Sequence, residues 1–197
     1  MADLATETKF VTEEELMALG SDARVEVVDG VIVDLPGCGL LHHIIAGNLF
    51  DPIDHYVRDH KTGIAFIHGL LYILKKEGDA VINARVPDIS FLRKEQVSPR
   101  VWEIESFPRV APTLAIEITS PDDNAEALLR KVRDYLGGGT AQVWVVFAEA
   151  GEVHVYRRGV AQVHTYSGSD VMDVSDLFPG LKLPLSDIFS LSELDEA

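Results

Sequence analysis

The sequence is poor in basic residues. It has 17 lysines and arginines against 32 aspartates and glutamates, which gives a formal net charge of −15 at pH 7. Affinity for nucleic acids comes mainly from the neutralisation of phosphates by Lys and Arg side chains. The charge therefore predicts that any sequence-independent binding of DNA is weak, and it counts against a function in nucleic-acid chemistry.

Cysteine and long apolar runs are also scarce. Cys38 is the single cysteine, so the chain cannot form an internal disulfide, and a reducing cytoplasm is the expected location. No apolar run approaches the roughly 20 residues that a membrane-spanning helix needs. The opening residues, "MADLATETKF", lack the basic-then-apolar order of a signal peptide. We therefore expect no membrane partner.

The rest of the composition is that of an ordinary globular protein. Of the 197 residues, 47% are hydrophobic and 25% are charged. A chain of this length suits one domain, over residues 1–197, that buries one sizeable core. The sequence shows no internal repeat and no low-complexity segment that would indicate a different organisation.

The start of the chain carries two clear local signals. Thr12 followed three residues later by Glu15 forms a capping box, which predicts a short helix over 12–19. The segment 25–35 alternates in polarity around Asp29-Gly30, a pair typical of a β-hairpin turn. An N-terminal helix and hairpin are therefore expected.

Hydrophobic periodicity predicts the elements that follow. They are a helix over 40–60 that is interrupted or kinked near Pro52, strand regions over 63–76 and 80–93, a loop over 94–112, a strand over 113–120, a helix over 124–136, a strand over 141–148, a hairpin over 151–167 and a docked apolar segment over 176–190. The strand, helix and strand between 113 and 148 form a βαβ unit, which requires a parallel strand pair and a right-handed crossover. The predicted class is α/β, with a mixed β-sheet flanked by helices.

Two carboxylates interrupt this strand-like sequence. In "ARVPDISFL" (84–92) Asp88 follows Pro87, which lacks an N–H and is tolerated at a strand start. Glu117 lies in the middle of "LAIEIT", on the face opposite Ile116 and Ile118. Each residue taken alone fits a carboxylate on a solvated sheet face or one paired with arginine. Two oxygen ligands on adjacent strands would instead suit Mg²⁺ or Mn²⁺.

A third candidate lies on the predicted helix over 124–136. Lys131 falls at one edge of the apolar arc of this helix and Arg133 at the other, while Arg130 points further out. Helical geometry cannot choose between Lys131 and Arg133. A surface lysine or arginine whose stem lies along apolar surface explains either position without any function.

Several segments together carry a resemblance to a known family. In this order and spacing they are "VPDISF", "APTLAIEITSPDD", "RKVRDYLGGGTAQVWVV" and "FPGLKLPLSDIF", and "EELMALGSDARVEVVDGVIVDLPG" precedes them. The chain resembles, over nearly its whole length, the Uma-type putative restriction endonucleases, a branch of the PD-(D/E)XK nuclease superfamily. No single motif is decisive, but the ordered set is specific.

The resemblance implies a restriction-endonuclease-like core and a set of site residues. Asp88 stands at the PD aspartate and Glu117 at the glutamate of the (D/E)XK element. Thr119 departs from the superfamily pattern, which has lysine there, and Lys131 stands where the Uma-type branch takes its lysine from the next helix. Glu26 matches an acidic residue of the first hairpin, and His42 matches a histidine that opens the long helix; either of these two also fits a purely structural role.

The resemblance further implies a metal-dependent endonuclease. Asp88 and Glu117, with the backbone carbonyl of Ile118, would hold Mg²⁺ or Mn²⁺, which activates water for attack on a phosphodiester. Lys131 would orient that water or stabilise the charge that builds on phosphorus. Glu26 would be a further ligand or act through a water. The implied partners are nucleic acid, DNA in the first place, and a second copy of the chain in a homodimer.

Two other functions stay open at this point. The first is a protein that keeps the nuclease fold but has lost the chemistry and acts as a binding or regulatory module. The charge of −15 favours this alternative, whereas the joint presence of Asp88, Glu117 and Lys131 argues against it. The second is a metal-dependent hydrolase of short or non-DNA phosphodiesters, for which weak binding of polymers would matter less.

Overall fold

The computed structural model describes residues 10–20, 23–97, 108, 110–121 and 123–191. The α-helices are α1 (Glu13–Ala18), α2 (Leu40–His60), α3 (Ala125–Gly138) and α4 (Leu185–Ile188), and Lys94–Gln96 forms a short 3₁₀ helix. The strands are β1 (Val25–Val28), β2 (Val31–Asp34), β3 (Gly63–Ile67), β4 (Tyr72–Glu77), β5 (Ala80–Arg85), β6 (Ile89–Arg93), β7 (Leu114–Ile118), β8 (Gln142–Phe147), β9 (Glu152–Arg157), β10 (His164–Tyr166), β11 (Val171–Asp173) and β12 (Lys182–Pro184). Most of the predicted loop over 94–112 lies outside the described residues.

The two local signals at the start of the chain are confirmed. The Thr12 hydroxyl accepts a hydrogen bond from the Glu15 N–H, and the Glu15 carboxylate accepts one from the Thr12 N–H. In the β1–β2 hairpin, Asp29 and Gly30 both have positive φ, 49° and 82°, which a two-residue type I′ turn requires. Both elements therefore form where local chemistry predicts them.

Helix α2 runs without interruption through Pro52. Its apolar face, which includes Ile45, Leu49 and Ile53, is fully buried in the largest core cluster. A proline inside a helix costs about 3 kcal/mol, and burial of each large aliphatic side chain contributes about 1.5–3 kcal/mol. Packing of this face thus outweighs the cost of Pro52. The predicted interruption is absent, and the alternative, a kink near Pro52, stays a prediction.

The largest sheet has six strands in the order β10-β9-β8-β7-β6-β3. Strands β7 and β8 are parallel, as the βαβ pattern predicts, and the other neighbouring pairs are antiparallel. Helix α2 packs against one side of this sheet, over Ile116 and Trp144. Helix α3 covers the other side, where Val132 and Tyr135 meet Ala115 and Val143. The predicted mixed sheet flanked by helices is confirmed.

A second, antiparallel sheet has the order β2-β1-β5-β4. The predicted strand regions 63–76 and 80–93 each contribute one strand to either sheet, so β3 and β6 lie in the large sheet and β4 and β5 in the smaller one. The chain crosses between the sheets at 68–71 and at 86–88. His68 and Gly69 have φ of 55° and 81° at the first crossing, and Pro87, which cannot donate to a strand ladder, lies in the second. Both crossings border the same cleft between the sheets.

None of the helices within the described ranges is long and apolar enough to cross a membrane. The predicted docked segment over 176–190 does pack onto the core. Phe178, Leu183, Leu185 and Ile188 are buried against the large sheet and α2. Leu183 lies in β12, which pairs with β11 in a two-stranded sheet.

Candidate functional site

The cleft between the two sheets encloses about 520 Å³. Asp88, Glu117 and Lys131 line it together with Ile118 and His42. Cys38, His43 and His68 form another part of its wall. Residues from strand β7, two helices and two crossing segments therefore converge on one cavity, although they are far apart in the sequence.

Asp88 lies one residue before β6, and its backbone is fixed on both sides. Its N–H donates to the Ile116 carbonyl at 3.0 Å, and its own carbonyl accepts from the His68 N–H at 2.8 Å. The side chain turns toward β7, where Oδ2 accepts from the Ile118 N–H at 2.7 Å. Strands β6 and β7 are neighbours in one sheet, as predicted, so Asp88 at the entrance to β6 lies beside the strand that carries Glu117.

Glu117 is buried on the face of β7 that α3 covers. Its Oε1 accepts from the Tyr135 hydroxyl at 2.7 Å and its Oε2 from the Lys131 ammonium at 2.9 Å. The interpretation of a carboxylate on a solvated sheet face is therefore wrong, since only 6% of Glu117 is exposed. The other interpretation, a carboxylate paired with arginine, is correct in that Glu117 has a cationic partner, but that partner is Lys131.

The ambiguity on α3 is resolved by the side-chain positions. Lys131 points into the cleft, where its ammonium contacts Glu117 and lies 3.1 Å from Oε1 of Glu26. Arg130 instead pairs with Asp29 at the exposed hairpin turn, and Arg133 is exposed. Of the three basic residues on this helix, Lys131 is the one that lines the cleft.

Glu26 and His42, the two candidates that also fit a purely structural role, contact this cluster as well. Glu26 accepts from Lys131, from the Val86 N–H at 3.1 Å and from Arg85 at 2.8 Å. His42, in the first turn of α2, places Nε2 at 3.1 Å from Oδ1 of Asp88. Glu26 lies behind Lys131 and does not line the cleft, whereas His42 does.

Sequence reasoning missed three residues that support the site. Arg85 pairs with both Glu26 and Asp134, and Tyr135 donates to Glu117. Arg85 in "AVINAR" is a charged residue in an apolar strand, the same signal that identified Glu117. Tyr135 lies four residues after Lys131, on the same face of α3, and that spacing could have identified it.

The electrostatics follow from burial and from the crowding of carboxylates. Burial raises the pKa of Glu117 to about 7 and Asp88 and Glu26 add to the rise, although Lys131 opposes it. Burial alone would lower the pKa of Lys131, but Glu117 and Glu26 outweigh it and the pKa is raised. Burial and the charge of Glu117 raise the pKa of Tyr135, so its hydroxyl remains a donor. Lys131 is therefore a permanent cation next to carboxylates that repel one another.

The pKa of His42 is raised as well. Burial alone would lower it, but the hydrogen bond and the charge of Asp88 outweigh that effect. Protonated or neutral, the imidazole can donate from Nε2 to Asp88 and fix the orientation of that carboxylate.

The donor set fits a hard divalent cation. The carboxylate oxygens of Asp88 and Glu117 each receive one hydrogen bond from the described residues. A carboxylate offers about four lone-pair sites, so both can accept a further ligand from the cleft. The described contacts join three carboxylates, those of Glu26, Glu117 and Asp134, to the cations Lys131 and Arg85. Asp88, which contacts His42, is a fourth carboxylate in the cluster. A dication would balance this negative excess.

Known proteins resemble this chain in fold and in sequence family. The chain is similar to a crystal structure described as a putative nuclease belonging to DUF820 from Anabaena variabilis, with a TM-score of 0.77 and 24% identity over 91% of this chain and 97% of that chain. At this identity the likeness shows a shared fold. No curated protein matches the sequence. The model of the Uma2 family, described as putative restriction endonucleases, matches residues 12–186. Since that match spans most of the sequence, the chain belongs to the Uma2 family of putative restriction endonucleases.

Proposed function

We propose that the chain is a metal-dependent endonuclease that hydrolyses phosphodiester bonds of nucleic acid. One observation supports this most: Asp88, Glu117 and Lys131 lie on separate elements and converge on one cleft, with Lys131 hydrogen-bonded to Glu117. Asp88 and Glu117 would hold Mg²⁺ or Mn²⁺, with the Ile118 carbonyl as a further oxygen ligand. Ligand sets made only of oxygen suit these hard cations.

The bound cation would supply Lewis-acid polarisation of the phosphoryl group and an acidified water. The protein side chains have distinct parts in the reaction. The Lys131 ammonium would donate to the attacking water or to a phosphoryl oxygen, where negative charge develops. Glu26 holds Lys131 from behind, and Arg85 holds Glu26 in turn. Tyr135 and His42 orient the carboxylates of Glu117 and Asp88, as outer hydrogen bonds commonly do for metal ligands.

Nucleic acid is the substrate that membership of the family suggests, and DNA is the first candidate. The net charge of −15 predicts weak binding of a polymer. We therefore expect cleavage chiefly at low salt, where phosphate contacts are least screened. A homodimer and a single domain over 1–197 remain predictions.

The test is incubation of purified protein with plasmid, single-stranded DNA and RNA at low salt, in Mn²⁺, in Mg²⁺ and in EDTA. We expect cleavage of at least one polymer with a divalent ion, none in EDTA, and a rate that falls as salt rises. Glu117→Gln should lose the activity, and Arg133→Ala, which changes an exposed residue of α3, should keep it. Cleavage of a small phosphodiester alone would favour the hydrolase of short substrates. No cleavage of any substrate would favour the inactive binding module, which the charge supports.

A further inference from the structure

The cleft wall carries a second group of metal-binding side chains beside the proposed site. Cys38, His42 and Asp88 offer one sulfur, one nitrogen and one oxygen atom that all lie within 4.8 Å of one another. Cys38 immediately precedes Gly39, the N-cap of α2, and His42 lies in the first turn of that helix. The start of α2 thus brings a thiol and an imidazole to the Asp88 carboxylate.

This donor set differs in kind from that of Asp88 and Glu117. Mg²⁺ and Mn²⁺ prefer oxygen, whereas thiolate and imidazole ligands select Zn²⁺ and related ions. A tetrahedral Zn²⁺, with bonds of about 2.0–2.3 Å, holds its ligand atoms roughly 3.3–3.8 Å apart. His42 Nε2 and Asp88 Oδ1 are 3.1 Å apart, and the 4.8 Å span of the whole group leaves only a small side-chain movement to close it.

A further observation concerns the His42 imidazole. The residue is only 5% exposed, and its Nδ1 has no hydrogen-bond partner among the described residues. A neutral imidazole carries one donor and one acceptor nitrogen. In His42 only Nε2 has a hydrogen-bond partner among the described residues. Because no described group binds Nδ1, the ring can carry its proton there and bind a cation through Nε2, the nitrogen next to Asp88. Two more histidines border the group, with the ring centroids of His42 and His68 6.1 Å apart and those of His43 and His68 5.2 Å apart.

We infer that Cys38, His42 and Asp88 form a binding site for Zn²⁺ in the wall of the cleft, with three protein ligands and one position left to water. The Cys38 thiol loses its proton to solvent when the ion binds, because the thiolate is the ligand. Three ligands plus an open position are the arrangement of zinc sites that exchange ligands, in contrast to closed four-ligand structural sites.

The two sites compete for one residue. Asp88 is a ligand in both, so Zn²⁺ at Cys38 and His42 would withdraw Asp88 from the Mg²⁺ or Mn²⁺ site and inhibit it. This inhibition rests on the proposed function, whereas the Zn²⁺ site itself does not. Zinc would then act as an antagonist of the hard cation at the same cleft.

Titration with Co²⁺, a spectroscopic substitute for Zn²⁺, tests the site without any nuclease assay. Because Cys38 is the single cysteine, a thiolate-to-cobalt absorption band in the near ultraviolet can come only from it. We expect this band to saturate at one Co²⁺ per chain and to disappear when Zn²⁺ is added, since Zn²⁺ binds more tightly than Co²⁺ to such ligands. Cys38→Ser should abolish the band and should melt like the wild type without metal.

Two further variants decide which ligands take part. His42→Gln should weaken Co²⁺ binding by more than about 100-fold, because even the loss of an outer hydrogen bond can cost up to that factor. Glu117→Gln, the matched control in the other site, should keep the band. Absence of the band in the wild type, a band at half an ion per chain, or a band unchanged in His42→Gln would overturn the proposal. The band in a protein that cleaves no substrate would leave the Zn²⁺ site standing and overturn only the proposed function.

Discussion

Replacing Lys131 by alanine should lower the rate of metal-dependent phosphodiester cleavage by about 10²- to 10³-fold, the usual cost of removing one donor that stabilises developing charge. The ammonium is the cation that the structure places in the cleft next to Glu117. Lysine donates hydrogen bonds and is not a metal ligand, so Mn²⁺ binding should persist. The comparison requires single-turnover rates at saturating Mn²⁺.

Arg130→Ala is the matched control for this variant. Arg130 precedes Lys131 on the same helix and carries the same charge, but it pairs with Asp29 at the surface. This variant should cleave at the wild-type rate, apart from a small change in salt dependence. Lys131→Arg keeps the charge and tests its placement, and we expect partial activity from it. Full activity of Lys131→Ala would show that α3 does not supply the catalytic lysine.

Replacing Arg85 by methionine should lower the free energy of unfolding by about 3–5 kcal/mol, because Asp134 then loses its described cationic partner and Glu26 keeps only Lys131. The side chains of Arg85 and Glu26 are each only 4% exposed, and Asp134 on the other side of Arg85 is 11% exposed. For a chain of this size the loss corresponds to roughly 6–20 °C in melting temperature. Urea denaturation monitored by circular dichroism measures it.

The same chemical change at the surface is the control for Arg85. Arg130→Met also breaks an arginine–aspartate pair, but both side chains are largely exposed, and such pairs contribute about 0–1 kcal/mol. Adding Glu26→Gln to Arg85→Met removes one of the two carboxylates that lose Arg85 and should recover part of the lost stability. Equal effects of Arg85→Met and Arg130→Met would show that Glu26 and Asp134 do not depend on Arg85.

The sequence was most informative where a charged residue interrupts an apolar strand. Glu117 inside an apolar strand predicted a special carboxylate, and the structure buries it with partners on two sides. The capping box at Thr12 and the turn at Asp29-Gly30 were predictable because they depend on a few neighbouring residues. Lys131 could not be separated from Arg133 by helical spacing alone, and the family resemblance supplied that choice.

Local sequence patterns could not predict features that depend on contacts between segments far apart in the sequence. The regions 63–76 and 80–93 read as continuous strand regions, but each crosses between two sheets, because non-local pairing decides which sheet a strand joins. The cleft exists only because these crossings occur side by side. The proximity of Cys38 to Asp88 has the same origin, since 50 positions of sequence separate a loop before α2 from a segment before β6.

If Asp88 and Glu117 bind a divalent cation in the folded protein, Mn²⁺ should raise its melting temperature, and thermal melting with and without Mn²⁺ measures this effect. An ion that binds only the folded state stabilises it by about 2.7 kcal/mol at 100 times its dissociation constant. For a chain of this length that is roughly 5–10 °C in melting temperature. Asp88→Asn should blunt this shift, while Asp123→Asn, which changes another carboxylate bordering the same cleft, should retain it. An equal shift in the wild type and in Asp88→Asn, or none in either, would show that Asp88 and Glu117 do not bind the cation.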